Sequence, residues 1–220
     1  NISPHALNHY RKCINWEAID NRATQNLLKI CLTEDLGEQR DENLLASDAT
    51  TKICQITANG KASIVSREAL VLCGIGFVPQ ILEVFNSSQL KFNFSKKDGD
   101  LVERGETIGV LEGCVDKILL IERTILNLLQ KLSGVATCTN DFCKKINPYG
   151  VGLLDTRKTT PGMRLFEKYA TGCGGGFNHR MGLHDQIMIK DNHLAAASAK
   201  DGVHLRNFLT NIINRNKEKK

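Results

Sequence analysis

Apolar residues return to one helical face most clearly in residues 117–132, "KILLIERTILNLLQKL", where Ile118, Ile121, Ile125, Leu128, Leu129 and Leu132 recur at intervals of three and four. Gly134 follows close enough to predict a C-cap. On the same helix Arg123, Asn127 and Gln130 line up as a polar stripe, which by spacing alone reads as a solvent face. Upstream, a looser helical pattern runs from Trp16 to Leu32, and the polar run "EQRDENLLASD" predicts an excursion loop. "KASIVSR" reads as a strand, "GFVPQILEVF" as a short helix, and "LKFNF" as a strand burying Leu90, Phe92 and Phe94 on one side. "KKDGD" and "ERGE" are turn signals, and "TIGVLEG" is a further strand.

Beyond the long helix the pattern changes to strand, loop, helix, strand. "GVGLLD" predicts a strand, "TRKTTPG" a loop, "MRLFEKYA" a helix and "QIMIK" a second strand, with a helix starting at "LAAASA". Apolar strands alternating with helices imply parallel βαβ units, in which loops at the strand C-termini carry the chemistry. The fold class expected is α/β, with one domain over residues 1–115 and a second over 116–220.

Charge sharpens the division. Residues 1–154 are nearly balanced, with 17 basic and 18 acidic groups, whereas residues 155–193 hold six basic groups, four acids and three histidines. The tail "NRNKEKK" is basic but has no aromatic platform beside it, so it reads as a solvated helix end rather than a nucleic-acid arm. Eight cysteines without a C-x-x-C pair or a compact disulfide framework, and the absence of a long apolar run, point to a reducing cytoplasm with no membrane and no nucleic acid.

The concentration of cations is the chemical signal. Cys173, His179, His184 and His193 are spaced wrongly for a standard zinc site, so no metal ligand is expected among them. "GCGGG" follows a helix rather than a strand, which argues against a dinucleotide fingerprint and leaves two uses, a free backbone turn or a close approach to a ligand. No nucleophile elbow frames a serine or cysteine. Arg157 with Lys158, His179 with Arg180, and Lys190 at the end of the second strand instead suit a ligand with several negative charges. Arginine grips a carboxylate through its planar fork and lysine supplies a movable point charge.

"ERTILNLLQKLSGVAT", "LLDTRKTTPGMRLFEKYA" and "GGGFNHRMGLHDQIMIKDNH", with the earlier "EDLG", resemble the quinolinate phosphoribosyltransferase family. Weaker matches are "SREALVLCGIG" and "DGDLVERGETIGVLEG". The resemblance implies an N-terminal α/β sandwich and an α/β barrel, incomplete here, in a homodimer or higher homo-oligomer whose sites are shared between subunits. It implies that quinolinate and phosphoribosyl pyrophosphate give nicotinate mononucleotide, pyrophosphate and carbon dioxide, with Mg²⁺ held largely through the phosphoribosyl pyrophosphate.

By the same resemblance Arg123, Thr156, Arg157, Lys158, His179, Arg180 and Lys190 bind substrate, Lys158 and Lys190 being the catalytic pair and Arg123 reaching across from a partner subunit. The family's later strands, with their acidic residues and glycine-rich phosphate loops, have no counterpart in the 220 residues, so the chain alone is expected to be aggregation-prone and catalytically silent. "EDLG" is also followed by "EQRDENLLA" where the family has a closely spaced Gly-Asp-x-Thr segment. Two other readings are a related pyrophosphorylase homologue acting on another anion, and an inactive fragment that serves only in binding or dimerisation.

Overall fold

The structure, a computed structural model, describes residues 12–38, 42–199 and 201–217. Its contacts define two compact units, Asn1–Met181 and Gly182–Lys220. In the first unit a 3₁₀ turn at Trp16–Ala18 leads to α1 (Asn21–Leu36), capped by the Asp20 side chain, which accepts from Arg22 N. The expected excursion loop contains α2 (Leu44–Ser47). Asp48 then caps α3 (Ala49–Cys54), accepting from the amides of Thr50 and Thr51. Residues 39–41 of that loop lie outside the described residues.

Next come β1 (Asn59–Val65), β2 (Leu70–Val71), α4 (Phe77–Val84), β3 (Lys91–Phe94), β4 (Leu101–Val102) and β5 (Thr107–Cys114). β5 is the centre of an antiparallel sheet in the order β1-β5-β3, with Ala62 and Phe92 both facing Leu111 across it. β2 and β4 form a separate antiparallel pair.

The long helix α5 (Val115–Ile146) runs well past Gly134 and ends at a 3₁₀ turn, Asn147–Tyr149. Gly134 is therefore no C-cap: the apolar face continues through Val135, Ala136 and Cys143, and that burial outweighs the roughly 1 kcal/mol that a glycine costs in a helix interior. Pro148, which has no amide proton and restricts the residue before it, stands where the helix does stop. α5 also ties down β2 and the residues just after it by polar contacts. Ser133 Oγ accepts from Cys73 N at 3.0 Å and Thr137 Oγ1 accepts from Val71 N at 2.9 Å. These bonds satisfy backbone groups that burial would otherwise leave without partners.

α6 (Arg164–Cys173) lies on α5, and Trp16 stacks edge-on against Phe77 and Tyr169 at 5.0 and 5.3 Å, so helix and sheet share one core. The three glycines after α6 belong to this packing. A Cβ on Gly174 would overlap the Ala136 carbonyl of α5, and Gly175 takes φ +89°, in the left-handed region. Of the two uses open to "GCGGG", the helix-terminating turn against α5 is the one observed.

The barrel-like region departs from expectation. "GVGLLD" forms only a single parallel bridge, Leu154 to Phe177, with hydrogen bonds from Asp155 N to Phe177 O and from Phe177 N to Leu153 O. In the second unit "QIMIK" is not a strand, and Ile187 is 63% exposed. An apolar run becomes a strand only where a neighbouring strand takes its amides and carbonyls, and no described strand or bridge includes these residues. The second unit otherwise holds α7 (Asp191–Ala196) and α8 (Gly202–Lys217).

Candidate active site

Parallel pairing at Leu154 and Phe177 brings two chain segments out on the same edge. Thr156, Arg157 and Lys158 follow Asp155, while His179 and Arg180 follow Phe177 and Asn178. Arg164 joins the two segments. Its Nε donates to Thr159 Oγ1 at 3.2 Å and its Nη1 to the Met181 carbonyl at 3.4 Å. Thr156 Oγ1 accepts from Lys158 N at 3.0 Å, which folds the Thr156–Lys158 loop tightly and leaves Thr156 and Lys158 exposed. Arg157 is half-buried, and its Nε is a buried donor with no acceptor among the described residues. A buried guanidinium donor left without a partner is costly, and an anionic ligand is one group that would satisfy it.

Arg180 is buried at 5% exposure. Its amide donates to His179 Nδ1 at 2.7 Å. Nδ1 is therefore an acceptor, and the ring proton sits on Nε2, where it can be given to an anion. His193 in the second unit is arranged in the same way, accepting from Lys190 N on Nδ1 at 2.9 Å while its own amide donates to Lys190 O. Lys190 is exposed at the start of α7.

The outer loop is anchored by acid–base contacts. Glu167 accepts from Thr160 N at 3.1 Å and pairs with Lys131 at 3.1 Å. Burial pushes the Glu167 carboxyl up, but hydrogen bonds from Thr160 and Lys131 outweigh it and hold the group below the ordinary glutamate range. A carboxyl lowered by folding adds stability above its unfolded pKa, and that stability is lost as pH falls through the folded value. Thermal stability should therefore decline as pH drops below about 4.3, the unfolded glutamate value, and decline less in Glu167→Gln. Parallel melting curves of the two proteins from pH 6 to pH 3 check this; identical slopes would mean that the contact contributes nothing.

Arg123 sits elsewhere in the first unit. With Gln130 it lines a cavity of about 1170 Å³ whose wall also includes Ser66, Arg67, Glu68 and Glu122. Asn127, the middle member of the stripe, is exposed and is not part of the lining. Arg67, in "SREA", has no periodic signal, being a lone arginine after a strand. Only the pairing of β1 with β5 brings it to the face that α5 covers.

Among the described residues no group of three or more His, Cys, Asp and Glu side chains is placed to hold a metal ion. All eight cysteines are free thiols. No described helix is long and apolar enough to cross a membrane.

Comparison with known proteins matches residues 48–133 to the N-terminal domain of quinolinate phosphoribosyl transferase and residues 135–217 to its C-terminal domain. The chain is 39% identical over 175 residues to a probable nicotinate-nucleotide pyrophosphorylase (carboxylating) of Bacillus subtilis, covering 80% of this chain and 57% of that one. It is 38% identical over 171 residues to a chloroplastic nicotinate-nucleotide pyrophosphorylase (carboxylating) of Arabidopsis thaliana, covering 78% of this chain and 47% of the other. The chain thus spans about half the length of the curated relatives it matches.

Among solved structures, the nicotinate-nucleotide pyrophosphorylase of Francisella tularensis superposes with a TM-score of 0.74 at 38% identity, covering 81% of this chain and 60% of that one. The one from Ehrlichia chaffeensis gives 0.75 at 33% identity, covering 91% and 66%. Two domain matches that together take in most of the chain, and relatives more than a third identical over the aligned residues, establish that it belongs to the quinolinate phosphoribosyltransferase family.

Proposed function

We propose that the chain is the substrate-holding part of a decarboxylating quinolinate phosphoribosyltransferase that makes nicotinate mononucleotide for NAD biosynthesis. The observation that carries this is the emergence of Arg157–Lys158 and His179–Arg180 from one edge of a parallel pair, with a buried guanidinium donor left without an acceptor. Quinolinate carries two adjacent carboxylates, and the two dipeptides offer two cationic forks, a lysine and an imidazole N–H donor. In this reading Arg157, His179 and Arg180, with Thr156 beside them, hold the carboxylates. Lys158 faces the phosphoribosyl group, and Lys190 is assigned to substrate through the family resemblance alone.

The ring nitrogen then attacks the ribose carbon as pyrophosphate departs. The bond to the neighbouring carboxylate then breaks, carbon dioxide leaves, and the electron pair stays on the ring carbon beside the cationic nitrogen, where a proton is taken up. The side chains align the ring and stabilise the developing charge, so no nucleophilic residue is required. Mg²⁺ would be carried on the pyrophosphate, as Mg²⁺ is commonly bound through substrate phosphates.

The proposal extends to a homodimer with shared sites. Arg123 is exposed on α5 beside this cavity, where it can reach a partner subunit's site. Eight free thiols support a reducing compartment such as the cytoplasm.

Calorimetric titration tests the substrate assignment. Quinolinate should bind, nicotinate should bind at least about tenfold more weakly for want of the second carboxylate, and both should weaken as salt rises. Equal affinity for the two acids would refute the assignment.

A further inference from the structure

Lys168 is a basic residue with no role in the functional reading. Its side chain is fully buried (0% exposed) and its Nζ lies 2.6 Å from Asp155 Oδ1, on a carboxylate itself only 8% exposed. The pair grips one short piece of backbone from both sides. Lys168 Nζ donates to the His179 carbonyl at 3.0 Å, and the His179 amide donates to Asp155 Oδ1 at 2.7 Å. Asn178 closes the frame: its Nδ2 donates to Asp155 Oδ2 at 2.9 Å and to Lys168 O at 2.8 Å, while its Oδ1 accepts from Ile14 N at 2.8 Å.

We propose that Asp155 and Lys168 are positioning residues, a buried ion pair that sets the His179–Arg180 peptide and through it the donors aimed at substrate. A buried ion pair is a poor source of stability, because desolvation cancels much of its attraction and an apolar pair would pack as well. Its value lies in geometry. Both polar groups of the His179 backbone end on it, so the carbonyl and amide directions are fixed. The next amide, that of Arg180, is thereby held against His179 Nδ1, which keeps the ring proton on Nε2. Asp155 also immediately precedes Thr156 and Arg157, so one carboxylate ties together both cation-bearing segments.

The inference rests on the proposal that His179 and Arg180 hold quinolinate, and its test separates the two. The probes are ¹⁵N spectra of the His179 ring, assigned by comparison with His179→Gln, and quinolinate titration. Wild type should show Nδ1 as an unprotonated acceptor and Nε2 protonated. The double variant Asp155→Asn/Lys168→Met keeps the volume and removes both charges. It should fold with a cooperative urea transition, yet show a mixed ring tautomer and bind quinolinate about 10- to 100-fold more weakly, the scale expected when a clamp is misplaced by about 1 Å. Lys168→Arg, which keeps the charge and the donors, should retain the single tautomer.

Wild-type ring shifts and affinity in the folded double variant would overturn the inference, as would a wild-type ring protonated on Nδ1. If the double variant does not fold, Asn178→Ser takes its place. It withdraws one support from Asp155 without stranding a charge, and a partial loss of the same kind is expected. Ring shifts that respond as stated in a protein that binds no quinolinate would leave the positioning role standing and refute the substrate.

Discussion

Lys168→Met alone is expected to lower folding stability by about 3–5 kcal/mol, the usual cost of breaking a buried ion pair. The substitution fills the same space but leaves the Asp155 carboxylate buried without its cation, still surrounded by the His179 and Asn178 donors. Adding Asp155→Asn should return much of the loss, because the second change removes the stranded charge. Urea unfolding of wild type, single and double variants measures both steps. A single variant within about 0.5 kcal/mol of wild type, the range of ordinary surface changes, would mean that the pair is effectively solvated.

Arg157→Ala should weaken quinolinate binding by about 3 kcal/mol, roughly two orders of magnitude, since it deletes a charge-assisted fork that lacks another acceptor among the described residues. Arg123→Ala should also weaken binding without unfolding the chain, because Arg123 is exposed on α5 and contributes nothing to the core. The two variants become informative together. If Arg123 serves the partner's site, a mixed dimer contains one doubly altered site and one intact site. Random reassociation should then restore tight binding to about one site in four. No recovery after demonstrated subunit exchange would place Arg123 in its own chain's site, and no effect of Arg123→Ala would make the polar stripe a solvent face.

The fold was legible where one chain segment decides its own state. α5 could be read from six apolar residues at helical spacing, and β3 from the alternation of Leu90, Phe92 and Phe94, because each buries one face regardless of its distant neighbours. Its end was misread because a glycine signals termination only when packing stops there, and burial of Ala136 and Cys143 beyond Gly134 is a tertiary effect. The strand readings at "GVGLLD" and "QIMIK" overreached for the opposite reason. Their apolar runs satisfy the pattern, but strand formation needs a partner that pattern alone does not supply.

The candidate site divides in the same way. Arg157, Lys158, His179 and Arg180 stood out as a cluster of charge and by their resemblance to a family. The clamp behind them did not, because Asp155, Lys168 and Asn178 share no periodicity, and nothing in their residue types marks them as a buried, mutually bonded set. Only the turn at Gly174–Gly175 and the bridge at Leu154 and Phe177 bring those three together.

The most direct measurement is a quinolinate titration followed by backbone amide shifts on the assigned protein. The account predicts that the largest saturating shifts fall on Thr156, Arg157, Lys158, His179 and Arg180, and that they disappear in Arg157→Ala. Saturating shifts confined to other residues, or unchanged by Arg157→Ala, would contradict it.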